Sequence, residues 1–335
     1  MLNYTIRRLV LSIPTLLFIA LVIFLLLELA PGDPMGQMPL TIPDDVKQRM
    51  REALGLGEPW YTRFYLWLYQ FFVVEPQYWI DDIFGTNFAD DAQRIISFQS
   101  RSPVFETIAE RMPQTLWVVG MSYVVGVGIA LPIGIISAYK QYSVFDQAGT
   151  FVSMIGFSVP PFFSGVLLIV IFSVNLGWLP SIYDTTHQVV DWETLKFQFQ
   201  QMIMPVMVLA LQTTAQVSRY MRASMLDNLG QDYVRTARAK GMTESIVIMR
   251  HVLRNSMIPV VTVIALGIPS IFGGAIITEQ IFKVNGLGQL LILALQGNDI
   301  PMVMTITFLL AVMIVLFNLI ADILYGVLDP RIRYD

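Results

Sequence analysis

The chain has no cysteine and only two histidines in its 335 residues. Without thiols it has neither a disulfide framework nor a thiolate-bound metal. Charge is also scarce: 14% of residues are charged, where soluble domains carry about 25%. The dipeptide Gly-Lys never occurs, which excludes a phosphate-binding loop of the GxxxxGK[ST] form. There is no HExxH helix. NGLGQL at 285–290 has one GxG but lacks the third glycine and the strand–helix setting of a dinucleotide site. A net charge of −4 argues against a nucleic-acid partner. No catalytic site, metal site or cofactor is expected.

What the chain has instead is apolar length. It is 55% hydrophobic with a mean hydropathy of +0.61. A bilayer core needs about 20 apolar residues of helix. Six segments meet that need: Leu9–Leu29, Pro113–Tyr139, Gln147–Leu176, Ile203–Met221, Met257–Ile277 and Val303–Leu324. The fourth is the shortest and weakest. The fold class expected is an all-α polytopic membrane protein with six transmembrane helices. Arg7 and Arg8 precede the first segment as in a signal peptide. Its apolar run exceeds a usual signal core and ends in LELAPGDP without a small-x-small site, so it reads as a retained helix.

Six spans put both termini on one side, and short-loop Lys and Arg decide which side. The termini, the 139–146 turn and the 219–256 loop carry twelve, against two (Lys196 and Lys283) on the opposite loops. The N and C termini and the basic loop are therefore expected to be cytoplasmic. His187 and His251 then fall on opposite faces and cannot share a site.

Residues 30–112 form the one large extracytoplasmic insert, with twelve acids and seven bases. Asp81, Asp82, Asp90 and Asp91 are among the acids. WYTRFYLWLYQFF at 60–72 suits a membrane interface, where amphipathic rings are favoured. PVFETIAERM at 103–112 reads as a short amphipathic helix before the second span. The insert is either a small cap over the membrane domain or a docking surface for an outer partner. Glu28, Asp146 and Asp322 lie at span ends, not at a midplane, which disfavours a proton relay. Pro14, Pro132, Pro160, Pro161, Pro205 and Pro269 enter spans, where they are expected to act as tolerated kinks.

The loop 219–256 is too polar to span and too patterned to be disordered. Leu226, Leu229 and Tyr233 recur at helical spacing, and Ala237 and Lys240 continue that line. Gly241 comes next, where a helix wants a residue free to adopt positive φ. Thr243 can cap a second helix with Glu244 in its first turn. Ile246, Met249, Leu253 and Met257 are expected on one face of that helix, with Val247, Arg250, His251 and Arg254 on the other. This is a helix–turn–helix beneath the membrane, in contact with anionic lipid or with a cytoplasmic protein. On the residues alone, docking and plain packing stand equal.

The chain resembles the membrane permease subunits of binding-protein-dependent ABC importers, in their dipeptide, oligopeptide and nickel branch. The resemblance runs through RRLVLSIPTLLFIALVIFLLLELAPGDP at 7–34, SVPPFFSGVLLIVIFSVNLGWLP at 158–180, ITEQIFKVNGLGQLLILAL at 277–295 and DPRIR at 329–333. Its strongest part is YVRTARAKGMTESIVIMRHVLRN at 233–255. The general family loop has the form E-A-A-x3-G-x9-I-x-L-P. Here Ala237, Gly241 and Leu253 match it. Arg235, Thr236, His251 and Arg254 stand where Glu, Ala, Ile and Pro are general, as in the peptide-branch variant, whose proline is displaced to Pro259.

The resemblance implies a type I ABC importer permease fold over 1–335, in the cytoplasmic membrane of a bacterium or archaeon. It implies a transport subunit, not an enzyme, with ATP hydrolysed on another chain. The implied partners are a second homologous permease, two ATP-binding subunits, an extracytoplasmic solute-binding protein and the surrounding membrane lipid. The loop would be the coupling helix seated in an ATPase cleft. Its docking residues would be Arg235, Thr236, Ala237, Gly241, Met242, Thr243, Glu244 and Ile246. The cargo implied is a di- or oligopeptide moved by alternating access. Other cargoes of the branch (nickel, an oligosaccharide) and an ion-coupled secondary transporter are the alternatives.

Overall fold

A computed structural model describes residues 2–29, 48, 51, 56–89, 92–269 and 276–328. Asp90 and Asp91, PGDP at 31–34 and DPRIR at 329–333 lie outside these residues. Every regular element described is helical; Ile96 and Pro103 make an isolated bridge. The helices are α1 (Leu2–Leu29), α2 (Trp60–Tyr69), α3 (Glu75–Phe84), α4 (Val104–Thr115), α5 (Met121–Tyr139), α6 (Val144–Ser158), α7 (Pro161–Leu168), α8 (Trp192–Leu229), α9 (Asp232–Ala239), α10 (Glu244–Ile246), α11 (Leu253–Gly267), α12 (Ile276–Phe282), α13 (Leu287–Gln296) and α14 (Ile300–Leu328). Four π-helical turns join or extend them. Gln70–Val74 joins α2 to α3, Leu116–Gly120 joins α4 to α5, Ile169–Asn175 extends α7, and Val247–Val252 joins α10 to α11.

Among the described residues, four continuous helices are long and apolar enough to cross a bilayer: Ile6–Leu29, Val104–Tyr139, Glu244–Gly267 and Ile300–Ile323. The bent pair α6–α7 would make a fifth. Three of the six expected segments therefore look different in three dimensions. In place of Met257–Ile277 the span begins at Glu244 and ends at Gly267, with 270–275 outside the described residues. Gln147–Leu176 is not one kinked helix: Val144–Ser158 and Pro161–Asn175 meet at 104°. Pro160 drives the preceding Val159 to an extended conformation (ψ 122°), and Pro160 itself is extended (ψ 140°), so two successive residues leave the helix. The segment Ile203–Met221 lies within the 38-residue α8, which lacks an apolar stretch of spanning length. The reason is burial. Met202, Met204, Val208, Ala215, Val217, Met221 and Met225 of α8 are enclosed by neighbouring helices, so little of it must match lipid.

The chain divides into two compact units. The first contains Gln114–Gly288 and the outer ends of the terminal helices. Its centre is α8 against α5. Gly126, Ala130, Gly134 and Ala138 recur every fourth residue along α5, a small-residue stripe that lets two backbones approach. A Cβ on Gly134 would lie 2.6 Å from Met221 Cβ, and one on Gly126 would lie 2.8 Å from Thr213 Cβ. Asp191 opens α8 with a reciprocal capping box to Thr194.

Ser143 caps α6 by accepting the Asp146 N–H, and Asp146 is itself buried. Arg222 donates to both Asp146 oxygens, from Nε at 2.6 Å and Nη2 at 2.8 Å. The Tyr142 N–H also donates to that carboxylate, at 2.9 Å. The fork ties the end of α8 to the 139–146 turn. Asp146→Ala would leave the guanidinium half-buried without its partner. We expect a loss of about 2 kcal/mol, read as a lower thermal midpoint of the detergent-solubilised chain. Asp146→Asn should lose less.

The second unit contains Leu9–Pro113 and Gln289–Val312. The aromatic run that the sequence assigns to an interface is divided here. Trp67 and Phe71 turn inward onto Phe105 and Phe308, with ring centroids 5.0–5.3 Å apart, while Trp60, Tyr61, Tyr65 and Tyr69 are exposed. PVFETIAERM is not a separate helix but the start of the rod Val104–Tyr139. Buried Glu75 pairs with Arg94 at 2.9 Å and accepts the Ile95 N–H. Asp299 accepts the N–H groups of Phe98, Gln99 and Met302 together with the Ser97 hydroxyl. These carboxylates pin residues 94–99, so the large insert is built into a helical unit.

Candidate functional site

The basic segment begins where α8 ends. Of the residues 219–256, 219–229 continue α8 and 244–256 belong to the rod that runs on to Gly267. What stands free is α9 and the turn after it. Val234 and Ala237 anchor α9 in a buried cluster with Ala130, Ala138, Met221, Met225, Val247 and Val252. Arg235, Thr236, Arg238 and Lys240 face outward. The Thr236 hydroxyl donates to the Asp232 carbonyl at 2.9 Å and steadies the first turn.

Gly241 has φ +73°, the left-handed conformation that closes α9. Its N–H donates to the Arg238 carbonyl at 2.9 Å, and the Met242 N–H donates to the Ala237 carbonyl at 3.3 Å. Both bonds of a Schellman cap are present, and its apolar contact is Met242 and Ala237 in the same cluster. Thr243 then takes the N-cap backbone conformation, but its hydroxyl makes no capping bond, contrary to expectation; only its carbonyl is used, by the Val247 N–H. The clasp across the turn comes from Glu244. Arg238 donates to it from Nη2 at 2.6 Å and from Nε at 3.1 Å. This two-pronged geometry fixes the angle between α9 and α10, and the carboxylate pushes the Arg238 pKa up.

The faces of the second helix are also phased differently from the sequence expectation. Val247, Ile248 and Val252 are buried, whereas Ile246 and Met249 are exposed. Ile248, Val252, Ser256 and Val260 recur every fourth residue and form the buried line, while Val247 joins it from the start of the π turn Val247–Val252. Of the eight residues assigned to docking, Arg235, Thr236, Gly241, Thr243 and Ile246 are exposed, Met242 and Glu244 are half-buried, and Ala237 is buried in the anchor. Met249 joins the exposed surface, although simple periodicity places it inside.

Charges at the span ends are paired within their own units. Asp146 has Arg222, Glu28 has Arg63, and Asp322 has Arg8. Glu279 on α12 is a further buried acid, besides Glu75, Asp146 and Asp299. Thr115 Oγ1 donates to it at 3.1 Å and accepts the Leu287 N–H at 2.8 Å. No group of three or more His, Cys, Asp or Glu side chains suited to a metal occurs among the described residues.

Residues 130–334 match the family described as binding-protein-dependent transport system inner membrane component, and residues 1–119 match the N-terminal part of such components. The chain belongs to this family of permeases. The permease is 39% identical to the oligopeptide transport system permease protein AppB of Bacillus subtilis (strain 168), over 99% of both chains. It is 36% identical to the glutathione transport system permease protein GsiC of Escherichia coli (strain K12), over the full length of both. Its fold is similar to a crystal structure of an amino acid ABC transporter with histidines (TM-score 0.50, 14% identity), covering 66% of this chain and 94% of that one. The permease is thus the transport subunit of an ABC importer and an integral inner membrane protein. Solute-binding and ATPase functions reside on other chains, which accounts for the missing phosphate loop.

Proposed function

We propose that this permease imports short peptides by alternating access, and that the elbow around Gly241 is where an ATPase subunit engages it. The observation that carries this reading is the elbow itself. It is a Schellman-capped turn clasped by Arg238 and Glu244, exposed at Ile246 and Met249, and anchored on the α5–α8 cluster. A mobile basic loop would need neither clasp nor anchor. A partner that pushes on the elbow displaces the core of the first unit with it.

The assembly in this reading holds a second related permease, two ATPases and an extracytoplasmic binding protein. The chain crosses six times, α8 being one crossing and the bent α6–α7 pair another. Both termini and the elbow are cytoplasmic, as the bias of Lys and Arg supports. The insert 30–112 is extracytoplasmic and meets the binding protein or the partner permease. Full-length similarity to oligopeptide and glutathione permeases supports a peptide cargo. An ion-coupled carrier draws no support from acids that already face arginines.

The test is a charge exchange. Glu244→Arg opposes two guanidinium groups and should lower uptake about two- to fivefold, the scale of an exposed pair, with ATP hydrolysis persisting. Arg238→Glu combined with Glu244→Arg restores the clasp and should recover uptake. Wild-type uptake in Glu244→Arg, measured in proteoliposomes with all partner subunits, would sink the coupling assignment.

A further inference from the structure

The first unit holds a groove of about 830 Å³. Helix α8 forms one wall, with Gln212, Thr213, Gln216 and Tyr220 along a single helical face. Ser122 of α5 and Thr278 of α12 line the other walls as nearly buried residues, and the Ser122 hydroxyl donates to the Val119 carbonyl. A glutamine facing hydrocarbon is costly, yet two stand one turn apart here. Neither the Gln212 nor the Gln216 amide makes a hydrogen bond among the described residues, and both side chains are exposed. The Thr278 hydroxyl is buried and unpartnered. The groove thus holds amide and hydroxyl groups with open hydrogen-bonding capacity. Among the described residues its lining contains no Asp, Glu, Lys, Arg or His.

We propose that this groove is the chain's wall of the solute path, and that Gln212 and Gln216 recognise the backbone amides of a passing peptide. The proposal rests on the peptide-importer reading above. A side-chain amide offers two donors and a carbonyl acceptor, which is the complement of a peptide unit. An uncharged lining neither attracts nor repels particular side chains, so the path handles peptides of different charge alike. It also offers no carboxylate, imidazole or thiolate ligand of the kind that holds nickel.

The absence of native cysteine makes a direct test possible. Gln212→Cys and Gln216→Cys are assembled with the partner subunits in open membrane fragments and treated with a membrane-impermeant maleimide. Phe151→Cys, on an exposed apolar stretch of α6, serves as the lipid-facing control. Both groove positions should label much faster than the control, and labelling no faster overturns the path assignment whatever the cargo. In parallel, Gln212→Leu/Gln216→Leu should lower uptake of tri-alanine, Ala-Lys-Ala and Ala-Glu-Ala about tenfold each, the scale of one to two lost hydrogen bonds. Gln212→Asn/Gln216→Asn should recover part of it. Wild-type uptake in the leucine variant, or a loss confined to one charge type, overturns the recognition of backbone. If the unaltered assembly moves none of the three peptides, the peptide reading fails, and the labelling arm still decides the path.

Discussion

Gly241→Pro is expected to abolish uptake while the chain still inserts and assembles. Proline holds φ near −65°, whereas Gly241 is at +73°. The substitution also removes the N–H that donates to the Arg238 carbonyl. The cap is lost and α9 no longer meets α10 at a fixed angle, at a local cost of about 3 kcal/mol or more. The anchor through Val234, Val247 and Val252 lies on the helices and not on the turn, so the rest of the unit persists. Gly241→Ala separates strain from crowding. No atom lies within 4 Å of the position its Cβ would take, so its cost is the left-handed backbone alone, about 1–2 kcal/mol. Uptake should fall in the order glycine, alanine, proline, with ATP hydrolysis outlasting transport. Equal uptake in glycine and proline chains would dismiss the elbow as the coupling point.

Gly286→Ala carries the second large effect, and it acts on stability. Gly286 is buried, and a Cβ there would overlap Thr115 Oγ1 and lie 2.5 Å from Glu279 Oε1. Thr115 cannot withdraw freely, because its hydroxyl serves both Glu279 and the Leu287 N–H. The methyl must break a buried polar knot or shift the 283–287 turn, and overpacking of that kind costs about 1–3 kcal/mol before any lost hydrogen bond is added. We expect a drop of several degrees in the thermal midpoint of the solubilised chain and a lower yield in the membrane. Gly128→Ala, with open space at its Cβ, is the control and should be close to neutral. An unchanged midpoint for Gly286→Ala would show that the knot yields.

Both glycines lie in stretches that the sequence singles out, but only one can be interpreted there. Gly241 ends a helical run, and that local signal survives into the fold, although the Thr243 hydroxyl makes no capping bond. Gly286 depends on Thr115 and Glu279, distant in sequence, and no local pattern encodes that meeting. The terminal helices α1 and α14 are legible because uniform apolarity suffices for a lipid-facing span. Helix α8 is barely so, because a helix enclosed by protein can carry polar groups that hydropathy counts against it. The right-angled turn at Val159 is written in Pro160–Pro161, but hydropathy reads through prolines. The face of the second elbow helix escapes periodicity for a different reason: apolar residues stand on both sides of it, so spacing alone does not say which side is buried. Arg222 and Asp146 show the last limit, since they are distant in sequence and no local pattern forecasts their pairing.

The unbroken rod Glu244–Gly267 carries a mechanical corollary. At 1.5 Å per residue its 24 residues make a lever of about 36 Å, and a tilt of about 10° at one end sweeps the other by roughly 6 Å. Its far end is Gly267, packed so closely on the Tyr123 ring that a Cβ would not fit, and Tyr123 bonds the carbonyl of Ile264 on the same lever. A small angular push at the elbow thus arrives as a displacement of several ångströms at the groove lined by Gln212 and Gln216.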